Sequence, residues 1–294
     1  HFPRLQKSKK RWNFLIITVD ALRPDRLGSY GYERKTSPHM DRLAKNGFLF
    51  EAAYAPANAT RHSVAALFAG RPFSQIDLDR VGLNVRLGPG TRLIFERIQS
   101  AGYFTAAHLC HYLAVHFWAG IERGIEAFKA DKAIDHRAAW SAPQITDGAL
   151  STLDTKRAAA DRRPWLMWLH YMEPHAPYDR HPDSPPWGED PSDAYDGEIR
   201  AVDGEIGRLL KALDDRGETQ RTVVILTADH GEEFGEHGGR FHGKKLYEES
   251  IRVPLIIRVP GLSGKRFSGP VSTMALPETV ANLAGLEPDV DYGT

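Results

Sequence analysis

Thr-Val-Val-Ile-Leu-Thr-Ala-Asp-His-Gly, residues 222–231, is the stretch whose reading decides the fold. Residues 222–227 are β-branched and apolar, and such a run predicts a strand buried on both faces. At its end the chain presents Asp229, His230 and Gly231. In parallel α/β sheets, ligands and metals sit at the carboxyl ends of strands. One hard oxygen and one imidazole nitrogen suit Zn²⁺ or Mn²⁺. The other reading of the dipeptide is a turn with a capping Asp229 and a solvated His230.

A second strand ends the same way. Residues 13–19 (Asn-Phe-Leu-Ile-Ile-Thr-Val) are apolar and branched, and Asp20 follows directly. Residues 21–28 then read as a polar loop with turn signals at Pro24 and Gly28. Two buried carboxylates aimed into one crevice repel unless a cation lies between them. The pair Asp20 and Asp229 therefore points to a metal.

Composition bounds the class. The chain has 294 residues and 41% hydrophobic content, enough for one large domain with a full core. Lys plus Arg and Asp plus Glu both number 38, so charge gives no support to a nucleic-acid partner. The single cysteine, Cys110, excludes an intrachain disulfide and a Cys-based zinc site. Apolar runs are strand-sized, short of the ~20 residues a membrane span needs. Residues 1–12 are expected to be a basic tail or a juxtamembrane linker, and 13–294 one catalytic domain.

Helices are expected at 38–47, 64–70, 91–101, 144–159, 194–214 and 276–285. Strands are expected at 48–54, 103–109, 165–171 and 253–259, beside the two above. In the first helix Ser37 is the expected N-cap, Pro38 fits the first turn and Gly47 the stop. Strands alternating with helices predict an α/β sandwich, a mostly parallel central sheet with helices on both faces. Residues 118–160 are hard to read apart from the helix at 144–159.

Thr60 lies in the loop 55–63, just ahead of a helix N-terminus, where backbone N–H groups and the helix dipole favour an anion. It reads as a nucleophile if a metal activates it, and otherwise Thr60 or Ser63 is an N-cap. His170 and His175 flank the end of strand 165–171. His237 and His242 follow Asp229-His230 in a Gly-rich loop. Lys244 and Lys245 beside them are anion ligands or a solvated pair.

These motifs carry a resemblance. Asn13–Tyr32 is similar to the opening strand and first metal Asp of the sulfatase branch of the alkaline phosphatase superfamily. Thr36–Phe50 resembles the helix that follows there. Residues 60–71 (TRHSVAALFAGR) stand where sulfatases carry Cys-x-Pro-Ser-Arg and then Leu-x-Thr-Gly-Arg. His170–Tyr178 (HYMEPHAPY), Thr227–His242 and Leu246–Pro260 match later motifs. The resemblance implies an alkaline-phosphatase-like fold and a metal-dependent esterase.

The departures are specific. Thr60 occupies the position of the formylglycine precursor, His62 that of the Pro and Val64 that of the Arg. Threonine cannot yield formylglycine, since its methyl would give a ketone. Ala21 replaces the second Asp of the opening pair, and Leu109-Cys110-His111-Tyr112 stands in place of Gly-Lys-x-His. A metal-bound threonine resembles instead the superfamily's phosphodiesterases and its phosphoethanolamine and phosphoglycerol transferases.

The expected site is therefore as follows. Asp20, Thr60, Asp229 and His230 hold one divalent ion, Zn²⁺ or Mn²⁺ ahead of Ca²⁺ or Mg²⁺. Thr60, His175 and His242 are catalytic. Asn58, His170, His237 and Lys244 bind substrate. The only evident carboxylate partner for the histidines is Glu173, which favours one metal over two. The expected reaction is hydrolysis or transfer of a phosphodiester or phosphonate ester. Two alternatives are a sulfatase that does not use formylglycine and a non-catalytic domain that binds an anion. The expected substrate is an anionic ester, an envelope lipid or glycan among the options. The expected setting is extracytoplasmic, with any membrane contact through a segment outside this chain.

Overall fold

The structure, a computed structural model, describes residues 11–81, 84–110, 118–130, 141–178, 185 and 187–288. In chain order its elements are β1 (Asn13–Val19), α1 (Pro38–Lys45), β2 (Phe48–Tyr54), α2 (Thr60–Ala69), β3 (Leu78–Val81), β4 (Asn84–Leu87) and α3 (Ile94–Ser100). Next come β5 (Phe104–Leu109), β6 (Trp118–Ala119), β7 (Ala127–Ala130), α4 (Ala142–Ala158), β8 (Trp165–Tyr171) and α5 (Pro191–Asp215). The chain ends through β9 (Thr222–Ala228), α6 (Glu248–Ile251), β10 (Arg252–Arg258), β11 (Arg266–Ser272) and α7 (Leu276–Leu283).

Eight strands form one sheet in the order β11-β2-β10-β9-β1-β8-β5-β7. β10 runs antiparallel to both neighbours, and the other pairings are parallel. Every residue of β1, β8 and β9 is buried, as their unbroken apolar runs require. Alternate positions of a strand face opposite sides. Trp168 of β8 meets Phe68 of α2, with ring centroids 4.5 Å apart, while Tyr171 bonds Thr146 of α4 at 2.9 Å. Helices α2, α3 and α7 thus cover one face, and α1, α4 and α5 the other.

Several elements differ from expectation. The helix expected at 64–70 begins four residues earlier, at Thr60, and α3 begins at Ile94. β11, which was not anticipated, holds an edge with a largely exposed sequence (RFSGPVS); an edge strand needs no apolar alternation and tolerates Pro270. A small sheet of β3, β4 and β6 was also unanticipated. Ser37 occupies the N-cap position of α1 as expected, but its side chain makes no capping bond; Asp203 of α5 accepts instead from the amides of His39 (3.1 Å) and Met40 (2.8 Å). The basic tail lies outside the described residues except at its end. There Trp12 is buried, and Arg11 donates to the Ala101 carbonyl at 2.5 Å. Among the described residues no helix is long and apolar enough to cross a membrane.

Candidate metal and ester site

Parallel pairing puts the carboxyl ends of β9, β1 and β8 side by side on one edge of the sheet. Asp20 follows β1, Asp229 and His230 follow β9, and His170 is the penultimate residue of β8. All four are buried. The turn after β9 is fixed from outside: Gly231 N donates to Ser250 O at 2.9 Å and Glu232 N to Glu249 O at 2.8 Å. A Cβ at Gly231 would lie 2.0 Å from the Glu249 carbonyl oxygen, so only glycine fits there.

The side chains converge as acceptors. His230 Nδ1 lies 2.9 Å from Gly231 O and donates to it. Its Nε2 therefore turns a lone pair toward Thr60 Oγ1 (3.1 Å), Asp229 Oδ2 (3.4 Å) and Asp20 Oδ1 (3.6 Å). Asp229 Oδ1 is occupied by the amides of Ala21 (3.3 Å) and His230 (3.0 Å). Asp20 Oδ1, Asp229 Oδ2 and His170 Nε2 are buried without a hydrogen-bond partner. Ligand atoms of Asp20, Asp229 and His230 all lie within 4.8 Å of one another. Asp20 Oδ1 and Asp229 Oδ2, buried with no hydrogen-bond partner and facing the His230 lone pair, fit a cation. Oxygen and imidazole donors together suit Zn²⁺ or Mn²⁺.

Electrostatics runs the same way. Burial pushes the Asp20 carboxyl up, but His175, His170 and His230 outweigh it and hold Asp20 well below the usual carboxylate range. Burial lowers His170, yet its neighbours Asp20 and Asp229 raise it overall. His170 Nε2 stands 3.3 Å from Asp20 Oδ2, and its Nδ1 bonds Thr18 Oγ1 at 2.8 Å. Trp168 Nε1 donates to the same hydroxyl at 2.8 Å. His170, expected to contact substrate, thus adjoins Asp20 in the candidate cluster.

Thr60 is the first residue of α2, and its hydroxyl donates to Asp20 Oδ2 at 3.4 Å. The N-cap readings do not hold. Ala59 occupies the N-cap position and its side chain makes no capping bond, and Ser63 donates its hydroxyl to the Asp229 carbonyl. Ser63 thereby pins α2 to the end of β9. Val64 is 2% exposed and packs in the core, so this position supplies no cation.

His175 and His242 come together, with ring centroids 5.0 Å apart, and His242 lies 4.2 Å from the His230 ring. The carboxylate partner is not Glu173. That side chain accepts from Ala142 N at the start of α4 (2.9 Å), and burial raises its pKa. The partner is Glu232, which is fully buried. It accepts from His242 Nδ1 at 3.0 Å and from the Tyr178 hydroxyl at 2.9 Å. Burial lowers His242, but the bond to Glu232 raises it overall. Glu232 and Tyr178 were missed. The cue was available, since Glu232 stands two residues after His230, but its partner is ten residues further on, and only the fold joins them.

Other expected contacts lie elsewhere. His237 is exposed; it pairs with Glu249 at 2.6 Å and stacks on Tyr247 at 3.6 Å. With Glu233 these two form a second acidic cluster, already neutralised in part by Lys245 at 3.8 Å from Glu233. Asn58 Nδ2 donates to the Lys245 carbonyl at 2.7 Å. Lys244 is exposed. His111 and Tyr112 fall outside the described residues.

Comparisons with known proteins meet this geometry. The chain is 26% identical over 95% of its length to an uncharacterised sulfatase of Escherichia coli K12. It is also 26% identical over 93% of its length to an ulvan-active sulfatase of Formosa agariphila. It spans 69% and 61% of those two proteins. A solved phosphonate monoester hydrolase of Agrobacterium radiobacter superposes with a TM-score of 0.75 at 20% identity, covering 95% of this chain and 74% of that one. The family model described as Sulfatase matches residues 12–286, from the start of β1 to beyond α7. The chain belongs to the sulfatase family.

Proposed function

We propose that this chain is a metal-dependent ester hydrolase or transferase that uses Thr60 as nucleophile on singly charged phosphorus esters. Phosphodiesters and phosphonate monoesters are the substrates meant. The observation that carries the reading is the placement of Thr60 Oγ1 at the first residue of α2, 3.4 Å from Asp20 and 3.1 Å from His230. The positive end of the α2 dipole favours a tetrahedral anion there. A divalent cation held by Asp20, Asp229 and His230 would supply positive charge opposite the ester's non-bridging oxygens.

The chain's own residues do the rest. Thr60 Oγ forms a bond to phosphorus as its proton is released to solvent, a release that a cation held by Asp20, Asp229 and His230 would make easier. The bond to the alcohol oxygen breaks, and that oxygen takes a proton from His242, which Glu232 orients. Water, or a second alcohol, then gives its proton to His242 and displaces the Thr60 oxygen, which takes a proton back from solvent. Val64, where the family places an arginine, leaves the site short of fixed cations and favours a monoanion over a dianion.

Family membership favours a second reading, a sulfatase that works without formylglycine. A threonine sulfate lacks the exit that a formylglycine hydrate provides, so the phosphorus reading leads. The test is a p-nitrophenyl panel of phosphodiester, phosphonate, phosphomonoester and sulfate, with and without added Zn²⁺ or Mn²⁺. Highest kcat/KM on the diester or phosphonate is expected. A tenfold preference for the sulfate, about 1.4 kcal/mol in the transition state, would replace the first reading with the second. An extracytoplasmic setting goes with the proposal, to be tested by fractionating the tagged full-length protein.

A further inference from the structure

A cleft of about 680 Å³ lies between α1 and α5, over the start of β9, where Thr222 and Val224 meet Arg258 of β10. Asp229 and His230 follow the other end of β9, so the cleft and the candidate ester site lie at opposite ends of one strand. The proposed ester chemistry makes no use of it.

Two glycines shape its α5 wall. Gly204 and Gly207 stand inside a 25-residue helix, where glycine costs stability relative to alanine. Packing explains Gly207, since a Cβ there would lie 2.4 Å from His39 Nδ1 of α1. Packing does not explain Gly204. A Cβ there would meet nothing within 4 Å, so this glycine borders open space in the cleft. Helix backbone without a side chain lets a ligand approach closely.

The cations around the cleft are unevenly satisfied. Arg208 is engaged by Asp147 (2.8 Å) and Glu205 (2.6 Å), and Lys211 by Asp215 (2.7 Å). Among the described residues, neither Arg42 of α1 nor Arg258 pairs with a carboxylate. Arg258 is partly buried, and its one hydrogen bond among the described residues goes to the Thr219 carbonyl at 3.3 Å. A guanidinium drawn out of water with most of its donors unused favours an anion. Burial lowers its pKa, and Asp214 offsets that only in part. Leu43, Leu210 and Val224 add an apolar wall.

We infer that this cleft binds a fatty acid, its carboxylate on Arg258 and Arg42 and its alkyl chain against Leu43, Leu210 and the backbone at Gly204. A guanidinium takes a carboxylate through two parallel bonds, and the apolar wall takes the chain. Two unpaired cations suit a single carboxylate, and Asp214 opposes a polyphosphate.

Calorimetric titration of the full chain with laurate, below its micelle concentration, tests this. The residues probed lie at the far end of the sheet from Thr60, so the readout does not depend on the ester chemistry. Wild type should bind one laurate. Gly204→Phe fills the cleft from an exposed helix position and should abolish binding without lowering the melting temperature. Arg42→Gln and Arg258→Gln should each weaken binding at least tenfold, and Arg258→Lys less. Lauryl alcohol, with the same chain and no charge, should bind at least tenfold more weakly than laurate. Acetate, with the charge and no chain, should not bind. No laurate binding by wild type, equal binding by Gly204→Phe, or equal affinity for laurate and lauryl alcohol overturns the assignment. Co-sedimentation with anionic phospholipid vesicles, lost in Gly204→Phe while monomeric laurate fails to bind, would give the cleft to a membrane surface and overturn it as well.

Discussion

Glu232 Oε1 lies 3.0 Å from His242 Nδ1, while its other oxygen accepts the Tyr178 hydroxyl at 2.9 Å. A buried carboxylate with both oxygens engaged fixes the tautomer and the orientation of the imidazole it holds. If His242 protonates the leaving alcohol, Glu232→Gln should matter most where the leaving group is poor. We expect kcat to fall about a hundredfold on an alkyl diester and less than tenfold on a p-nitrophenyl diester, with metal content unchanged. Equal losses on both substrates would reduce Glu232 to a structural role.

Chelation provides the second prediction. Removing metal with EDTA should abolish turnover, and Zn²⁺ or Mn²⁺ should restore it. Binding to the native state alone also stabilises it, by about 2.7 kcal/mol at a hundredfold excess over Kd. The melting temperature of wild type should therefore rise with added metal, while that of Asp229→Asn should not. A wild-type melting temperature indifferent to metal would contradict the reading of the buried acceptors.

His108 on β5 gives a pH prediction apart from the site. It is fully buried and bonds Thr152 at 2.9 Å through Nε2. Burial, with help from Lys129, lowers its pKa to about 4. The unfolded chain, with an ordinary pKa near 6.5, binds the proton first as pH falls. Stability should thus decline between about pH 6.5 and 4, by roughly 3 kcal/mol at most. His108→Gln should flatten that part of a denaturation-versus-pH curve, and an unaltered slope would refute the assignment.

The Asp203 cap on α1 is testable by stability alone. Asp203→Ala strips the His39 and Met40 amides of their acceptor. At about 1–3 kcal/mol for each unsatisfied buried group, a loss near 3 kcal/mol is expected in urea denaturation. Asp203→Asn should recover about half of it. A loss below about 0.5 kcal/mol would mean that water caps α1.

What the sequence made legible follows from physics that acts over short spans. Residues 13–19, 165–171 and 222–227 read as buried strands because each is apolar on both faces, and their carboxyl ends place Asp20 and Asp229. β11 carries no such pattern, since an edge strand keeps solvent on one side. The start of α2 was misplaced because Thr60–Ser63 look like loop residues by composition. Tertiary bonds such as Ser63 to the Asp229 carbonyl hold them in the helix. Partners far apart in sequence, such as Asp203 with His39, are joined only once the fold is formed.

The central claim is that Thr60 becomes covalently attached to the substrate's phosphorus. Mass spectrometry of the Thr60 peptide, from enzyme acid-quenched during turnover of a slow phosphodiester, tests it most directly. The account predicts a phosphoester adduct on Thr60, absent from Thr60→Ala, with Thr60→Ala inactive and Thr60→Ser partly active. An unmodified Thr60 under conditions of steady turnover, or Thr60→Ala retaining more than about a tenth of wild-type kcat, the equivalent of under ~1.4 kcal/mol of barrier, would contradict it.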